Sequence, residues 1–214
     1  MLFLDFGGVI AEEGFFEGLN FIASRHDLDP ASLAEAAVDA MFKGYVQGRE
    51  SEDQYWRRME DITGVGGLGV ELRALILDGF RVRPRMLELA DLCRSMGMAA
   101  AVLSDHTNWL EELDARHGFS RHFDHVFNSY RTGLTKREDA CFLHALQTMD
   151  AAPERAVFVD DSRANVARAA ALGINAVLCE DLDHAAGELA RLCPPLAGFL
   201  SGGLDNGGSG SGRK

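Results

Sequence analysis

The sequence contains no Cys-x-x-Cys pair. Its four cysteines, Cys93, Cys141, Cys179 and Cys193, are scattered, so a zinc site or a disulfide framework has no support. Buried, reduced thiols of a cytoplasmic protein are the expectation. No apolar run approaches the ~20 residues that cross a bilayer, and the longer ones, such as 98–103, read as buried strands; no membrane association is expected. Basic charge is scarce: 21 Lys and Arg face 33 Asp and Glu, a formal net charge of −12. A nucleic-acid partner is not expected, because a phosphate-backbone footprint needs clustered cations. Met1 runs straight into Leu2-Phe3-Leu4-Asp5 without a basic leader, so a secretory signal is not expected either. Internal repeats are absent. The remaining 214-residue composition, 47% hydrophobic and 25% charged, is that of a globular α/β domain or a compact core with a smaller insert.

Short apolar runs alternate with amphipathic stretches, the pattern of a parallel sheet flanked by helices. Strands are predicted at Leu2–Leu4, 99–103, His125–Asn128, 156–159 and Asn175–Leu178. They are continuously apolar, which predicts a sheet covered on both faces. Polar residues stand at their carboxyl ends, where open α/β sheets place ligands. Between the first two strands, helices are predicted at 17–25, 31–44, Glu52–Thr63 and 70–77, followed by a crossover helix at 85–95. Asp29-Pro30 and Ser51 supply start signals. Residues 11–80 thus read as an inserted all-helical cap, and residues 1–10 with 81–200 as a Rossmann-like core. Residues 201–214, rich in Gly and Ser, read as a flexible tail. Gly64-Val65-Gly66-Gly67-Leu68-Gly69 formally matches GxGxxG but follows a helical pattern rather than a strand, so it reads as a connection between cap helices and not as a nucleotide fingerprint.

The acidic strand ends carry the chemistry. Asp5 precedes Phe6-Gly7-Gly8, where glycines permit a sharp turn and close ligand approach. Asp160-Asp161 closes another strand. Three neighbouring carboxylates repel one another unless a cation neutralises them, and Mg²⁺ is the usual ion when phosphate completes the shell. The plainer reading makes Asp161 and Ser162 caps of the following helix; the two roles are compatible. Ser104 ends the second strand just before a segment read as helical, so its hydroxyl and nearby N–H groups offer an anion site. Lys136 lies in a polar loop after the third strand. Taken alone it reads as a solvated lysine, yet a carboxylate nucleophile facing an anion needs such a cation.

Four segments occur in order on these strand ends: LFLDFGGVI (2–10), VLSDHTN (102–108), SYRTGLTK (129–136) and VFVDDSRAN (157–165). Together they resemble the four motifs of the haloacid dehalogenase-like hydrolase superfamily, most closely its phosphatase branch with a helical cap between the first two motifs. The resemblance implies that Asp5 is a nucleophile forming an aspartyl-phosphate. It implies that the Gly7 carbonyl, Asp5 and Asp161 are Mg²⁺ ligands, with Asp160 acting through water or holding Lys136. Ser104, the Asp105 backbone and Lys136 would hold the phosphoryl group, and Asn165 would support the metal loop. The substrate class implied is a small phosphorylated metabolite; the oligomeric state is not encoded.

Three departures stand out. Gly7 occupies the position where phosphatases of this superfamily carry a second Asp as general acid and base, a loss typically worth ~10²–10⁴-fold. Asp105 replaces the common Asn, and Lys136-Arg137-Glu138-Asp139 lacks the usual prolines. His106 is one candidate for the missing acid, since imidazole titrates near neutrality; otherwise it reads as an exposed polar residue beneath the cap. Phe15, Phe16, Tyr45, Tyr55 and Trp56 read as the core of the cap, with a pocket lining as the alternative. A Mg²⁺-dependent phosphomonoesterase is the leading expectation. The alternatives are a 2-haloacid dehalogenase-type hydrolase, for which Asp160-Asp161 would be a burden, and a catalytically attenuated binding protein.

Overall fold

The computed structural model describes residues 1–204. Five strands form one all-parallel sheet: β1 (Leu2–Leu4), β2 (Ala100–Ser104), β3 (His125–Asn128), β4 (Val157–Asp160) and β5 (Asn175–Leu178), in the spatial order β3-β2-β1-β4-β5. The α/β, Rossmann-like architecture expected from the sequence is what the chain adopts. Side-chain alternation sorts the strand residues between two apolar layers. Leu2, Leu4 and Val102 join the larger core. Phe3, Ala101, Leu103, Phe127 and Phe158 join the smaller one on the opposite face. Both faces are covered, and this explains why the strands read as unbroken apolar runs.

Between β1 and β2 the chain builds four helices: α1 (Gly14–Arg25), α2 (Pro30–Phe42), α3 (Glu52–Thr63) and α4 (Leu68–Gly79). Local chemistry sets their ends. Asp29 caps α2 by accepting from Ser32 N (2.8 Å), with Pro30 preset for the first helical position. Ser51 and Gln54 form a reciprocal capping box at α3. Gly64, in the left-handed conformation at φ 70°, ends α3. The remaining helices are α5 (Pro84–Ser95), α6 (Trp109–His117), the short α7 (Ser129–Thr132), α8 (Asp139–Thr148), α9 (Arg163–Ala171), α10 (Leu182–Leu192) and α11 (Ala197–Leu200). No helix among the described residues is long and apolar enough to cross a membrane, and all four cysteines are free thiols.

Two sequence expectations shift. α6 begins only at Trp109, with four residues between it and the end of β2, so Ser104 does not sit at a helix N-terminus; Thr107 Oγ1 instead accepts the Trp109 N–H. The expected tail starts too early at 201. Leu204 is buried and the Gly203 carbonyl accepts from Arg85, while the stretch from 205 onward lies outside the described residues.

β1 is central, flanked by β2 and β4, so the residues following these three strands meet at one edge of the sheet. The turn after β1 is fastened from outside. Arg83, just ahead of α5, donates through Nη1 to the carbonyls of Gly8 (3.0 Å), Val9 (2.8 Å) and Ala11 (2.9 Å). These acceptors lie in a turn that no regular ladder satisfies, so the guanidinium takes over that task. Replacement by Ala is expected to destabilise the protein by about 2 kcal/mol, in the range for hydrogen bonds from a charged group. Urea denaturation checks this; an unchanged midpoint would show that the turn holds itself.

Candidate active site

Lys136 is the organising side chain. It follows α7 in the loop leading to α8 and is almost completely buried. Its Nζ lies 2.8 Å from Asp5 Oδ2 and 2.5 Å from Asp160 Oδ2. Its backbone N–H is held by both oxygens of Asp105 at 2.9 and 3.1 Å. Asp105 therefore anchors the lysine loop. Burial works against the Lys136 charge, yet Asp5, Asp160 and Asp105 around it raise its pKa above the ordinary lysine value.

Asp160 has no solvent exposure and its oxygens are already engaged. Oδ2 takes Lys136 Nζ, Oδ1 takes Ser162 N (2.8 Å), and Asn165 Nδ2 reaches both at 3.1 and 3.2 Å. Asn165 sits in the first turn of α9, where Ser162 caps the helix by accepting the Asn165 N–H. Asp161 is not a cap. It turns the other way, against Gly8, where a Cβ would collide with its Oδ2. Gly8 also has φ +74°, so the turn requires glycine for conformation and for space.

Asp5, Asp160 and Asp161 each offer one oxygen, all within 4.8 Å of one another. Burial pushes the Asp5 carboxyl well above its ordinary value; Lys136 opposes this, while Asp160 and Asp161 add to it. Burial followed by repulsion from Asp160 raises Asp161 as well. One ammonium does not balance these clustered carboxylates, two of them buried and the third, Asp161, exposed. An oxygen-only donor set with surplus negative charge suits a hard divalent cation. Because Asp160 is committed to Lys136 and Asn165, Asp5 and Asp161 are the carboxylates left to face such an ion.

A cleft of about 230 Å³ opens over Asp5, Gly7, Ser104, Asp105 and Asp161. Its outer wall is apolar, formed by Phe15, Phe16, Val38, Met41, Phe42 and Phe80. The expected aromatic set thus divides. Phe15 and Phe16 line the cleft, whereas Tyr45, Tyr55 and Trp56 pack around Trp109 in the core. Tyr45 also donates to Asn108 Oδ1 (2.6 Å), which ties the inserted helices to the segment after β2.

His106 differs from expectation. It is buried rather than exposed, packed against Phe6 and Phe80. Nδ1 accepts from Thr107 N (3.0 Å). Burial lowers its pKa to about 4, so the ring is neutral near pH 7 and is no proton donor there. Glu13, which sequence reasoning passed over, does line the cleft. It caps α1 by accepting Phe15 N (2.9 Å), and burial raises its carboxyl to about 7. The predicted helix started at 17 rather than 14, which left Glu13 reading as loop. A search for a capping acceptor before Gly14-Phe15 would have found it.

The His106 environment fixes the sign of a pH effect. A depressed imidazole pKa contributes stability that is fully present above the ordinary value of 6.5 and is lost as pH falls through about 4. His106→Asn, which can still accept from Thr107 N, is therefore expected to lose less stability than the wild type over that window. Thermal melts at matched pH values check this; parallel decline of both proteins would contradict it.

The chain is similar over 114 residues to bifunctional epoxide hydrolase 2 of Rattus norvegicus, at 29% identity, covering 50% of this chain and 20% of the relative. It thus spans about a fifth of the length of the curated relatives it matches. The fold is similar to that of HAD family enzyme bt-2542 of Bacteroides thetaiotaomicron, solved with magnesium and inorganic phosphate. There the TM-score is 0.66 and identity 19%, over 83% of this chain and 92% of that one. It is also similar to the L-2-haloacid dehalogenase of Xanthobacter autotrophicus with covalently bound chloropropionic acid. There the TM-score is 0.62 and identity 12%, over 95% and 87% of the two chains. At these identities the structural likenesses speak to fold alone. The model of the haloacid dehalogenase-like hydrolases matches residues 2–173, and the chain belongs to that hydrolase family.

Proposed function

We propose that this hydrolase is a Mg²⁺-dependent phosphomonoesterase that works through an aspartyl-phosphate on Asp5. The observation that carries the reading is the buried Lys136 ammonium bridging Asp5 and Asp160, with Asp161 beside them at the floor of the cleft. Asp5 takes the attacking role: it lines the cleft at the end of β1 with Lys136 against it, whereas Asp160 is enclosed and Asp161, which also lines the cleft, is left to the metal. Its oxygen forms a bond to phosphorus, the ester bond breaks, and the alcohol leaves. Water then cleaves the aspartyl-phosphate and restores the carboxylate. Lys136 neutralises Asp5 as the dianionic ester approaches, and Ser104, at the cleft floor, holds a phosphoryl oxygen.

Asp5, Asp161 and the Gly7 carbonyl would hold a divalent ion, which would supply the remaining positive charge toward the transferring group. Asn165 positions Asp160, and Asp160 positions Lys136. Residues 11–80 act as the cap, and their aromatic and aliphatic wall receives the alcohol portion of a small phosphate ester. That wall favours an ester with an apolar leaving group over a bare sugar phosphate.

Carbon–halogen displacement uses a similar nucleophile, which the haloacid dehalogenase likeness brings into consideration. The clustered carboxylates argue against it, since that reaction calls for no metal and would leave their repulsion uncompensated. Phosphate release from a panel of phosphate esters, measured with and without Mg²⁺ and beside chloride release from a 2-haloacid, separates the readings. Phosphate release that needs Mg²⁺ is expected, without chloride release; the reverse pattern would overturn the proposal, and neither activity would favour a binding protein. Asp5→Asn is expected to abolish turnover in a folded protein. Asp161→Ala is expected to raise the Mg²⁺ requirement steeply, and an unchanged Mg²⁺ titration would move the metal elsewhere.

A further inference from the structure

Phosphoryl transfer from an unactivated ester needs a proton for the departing alcohol, and Gly7 offers no side chain to give it. The space that a side chain at position 7 would enter is not empty. A Cβ built on Gly7 would lie 2.5 Å from Glu13 Oε2, 3.4 Å from Phe80 Cε1 and 3.5 Å from Glu13 Cδ. The carboxyl group of Glu13 therefore stands where a carboxyl carried by residue 7 would begin. Glu13 and Gly7 both line the same cleft as Asp5.

Glutamate is an unusual residue for the start of a helix. Ser, Thr, Asp and Asn are the preferred caps because their shorter side chains reach the free N–H groups. Glu13 does cap α1, with Oε1 on Phe15 N at 2.9 Å. Its extra methylene allows the second oxygen to reach back over Gly7 while the first remains fixed. A capped carboxyl has one oxygen anchored and one presented, an arrangement suited to directed proton transfer. His106, the other nearby candidate, has Nδ1 on Thr107 N and leaves Nε2 without a partner, but burial among the aromatic rings keeps the imidazole neutral and so without an acidic proton to give.

We propose that Glu13 is the general acid and base of this enzyme, supplied from the N-cap of α1 in place of a side chain at position 7. The proposal rests on the phosphomonoesterase reading above. In the first half-reaction Asp5 bonds to phosphorus and the P–O bond to the alcohol breaks. The electron pair stays on the leaving oxygen, which takes the proton of the Glu13 carboxyl. In the second, water adds to phosphorus and gives its proton to the Glu13 carboxylate. The bond between phosphorus and Asp5 breaks, and inorganic phosphate leaves. Both catalytic groups regain their starting states.

Glu13→Gln preserves size and cap and removes only the transferable proton, so it isolates this role. The probes are p-nitrophenyl phosphate, whose phenolate departs without protonation, and butyl phosphate, whose alkoxide does not. Phosphorylation is read as the pre-steady-state burst of nitrophenolate and as butanol release in a rapid quench, at saturating Mg²⁺. The expected result for Glu13→Gln is a nitrophenolate burst within about threefold of wild type, against butanol release slowed by about 10²–10⁴-fold. The steady state after the burst is also expected to fall, because hydrolysis of the aspartyl-phosphate loses its base.

Equal slowing of both bursts, or unchanged butanol release, would overturn the role. So would a raised Mg²⁺ requirement with butanol release restored at saturation, which would make Glu13 a metal-associated residue. Gly7→Asp combined with Glu13→Ala provides an independent check. Gly7 is not among the residues with positive φ, and shortening Glu13 clears the space its new side chain needs. Recovery of butanol release relative to Glu13→Ala alone is expected. Its absence in a double variant that circular dichroism shows to be folded would contradict the equivalence of the two positions. Failure of the wild type to release nitrophenolate at all would instead defeat the phosphomonoesterase reading, and this proposal with it.

Discussion

One ammonium group, Lys136 Nζ, held at 2.8 Å from Asp5 and 2.5 Å from Asp160, constrains the rest of the site. A charge so deeply buried persists only when it is paired and hydrogen-bonded, and removing one member of such a pair typically costs about 3–5 kcal/mol. The pairing also divides the work among carboxylates that look interchangeable in sequence. Asp160 is consumed by Lys136, Ser162 and Asn165. Asp105 is consumed by the Lys136 backbone. Asp5 and Asp161 are what remains to meet a ligand.

The sheet makes this convergence possible. Three central strands end side by side, so Asp5, Ser104 and Asp160-Asp161 arrive at one edge although they are separated by most of the chain. The inserted helices then close over that edge. They are fastened to the core through Tyr45 on Asn108, Gln47 on the Gly133 carbonyl (3.1 Å) and Ser129 Oγ on the Val46 carbonyl (2.8 Å). An apolar wall above a charged floor follows directly from this arrangement. In the proposed reaction the floor takes the anion, and the wall takes whatever the anion is attached to.

Much of the framework was legible because it rests on local rules. Runs such as Leu2–Leu4 and 99–103 are apolar without interruption because both sheet faces are covered, and Ser51, Asp29 and Gly64 mark helix ends by their own chemistry. The acidic residues that meet at the sheet edge were visible as strand terminators. What was not legible depends on contacts between distant segments. Arg83 acts on backbone carbonyls, which no residue type announces. The burial of His106 is decided by Phe6 and Phe80 together. Asp105 reads as a phosphate-side residue until its carboxylate is seen on the Lys136 N–H. Glu13 is a different case, close to Gly7 in sequence and open to recognition as a cap but not as a neighbour of the cleft. Its significance lies in the space above Gly7, and a missing side chain gives no signal about what fills its place.

The claim on which the rest turns is that the Lys136-paired carboxylate at the end of β1 becomes covalently phosphorylated. Acid quenching of the wild-type enzyme during turnover of an aryl phosphate with Mg²⁺, followed by peptide mass spectrometry, tests it directly. The expected result is a phosphoryl group on the peptide carrying Asp5, which disappears as substrate is exhausted. Phosphate release with no modified peptide, or with the phosphoryl group on a residue other than Asp5, would contradict it.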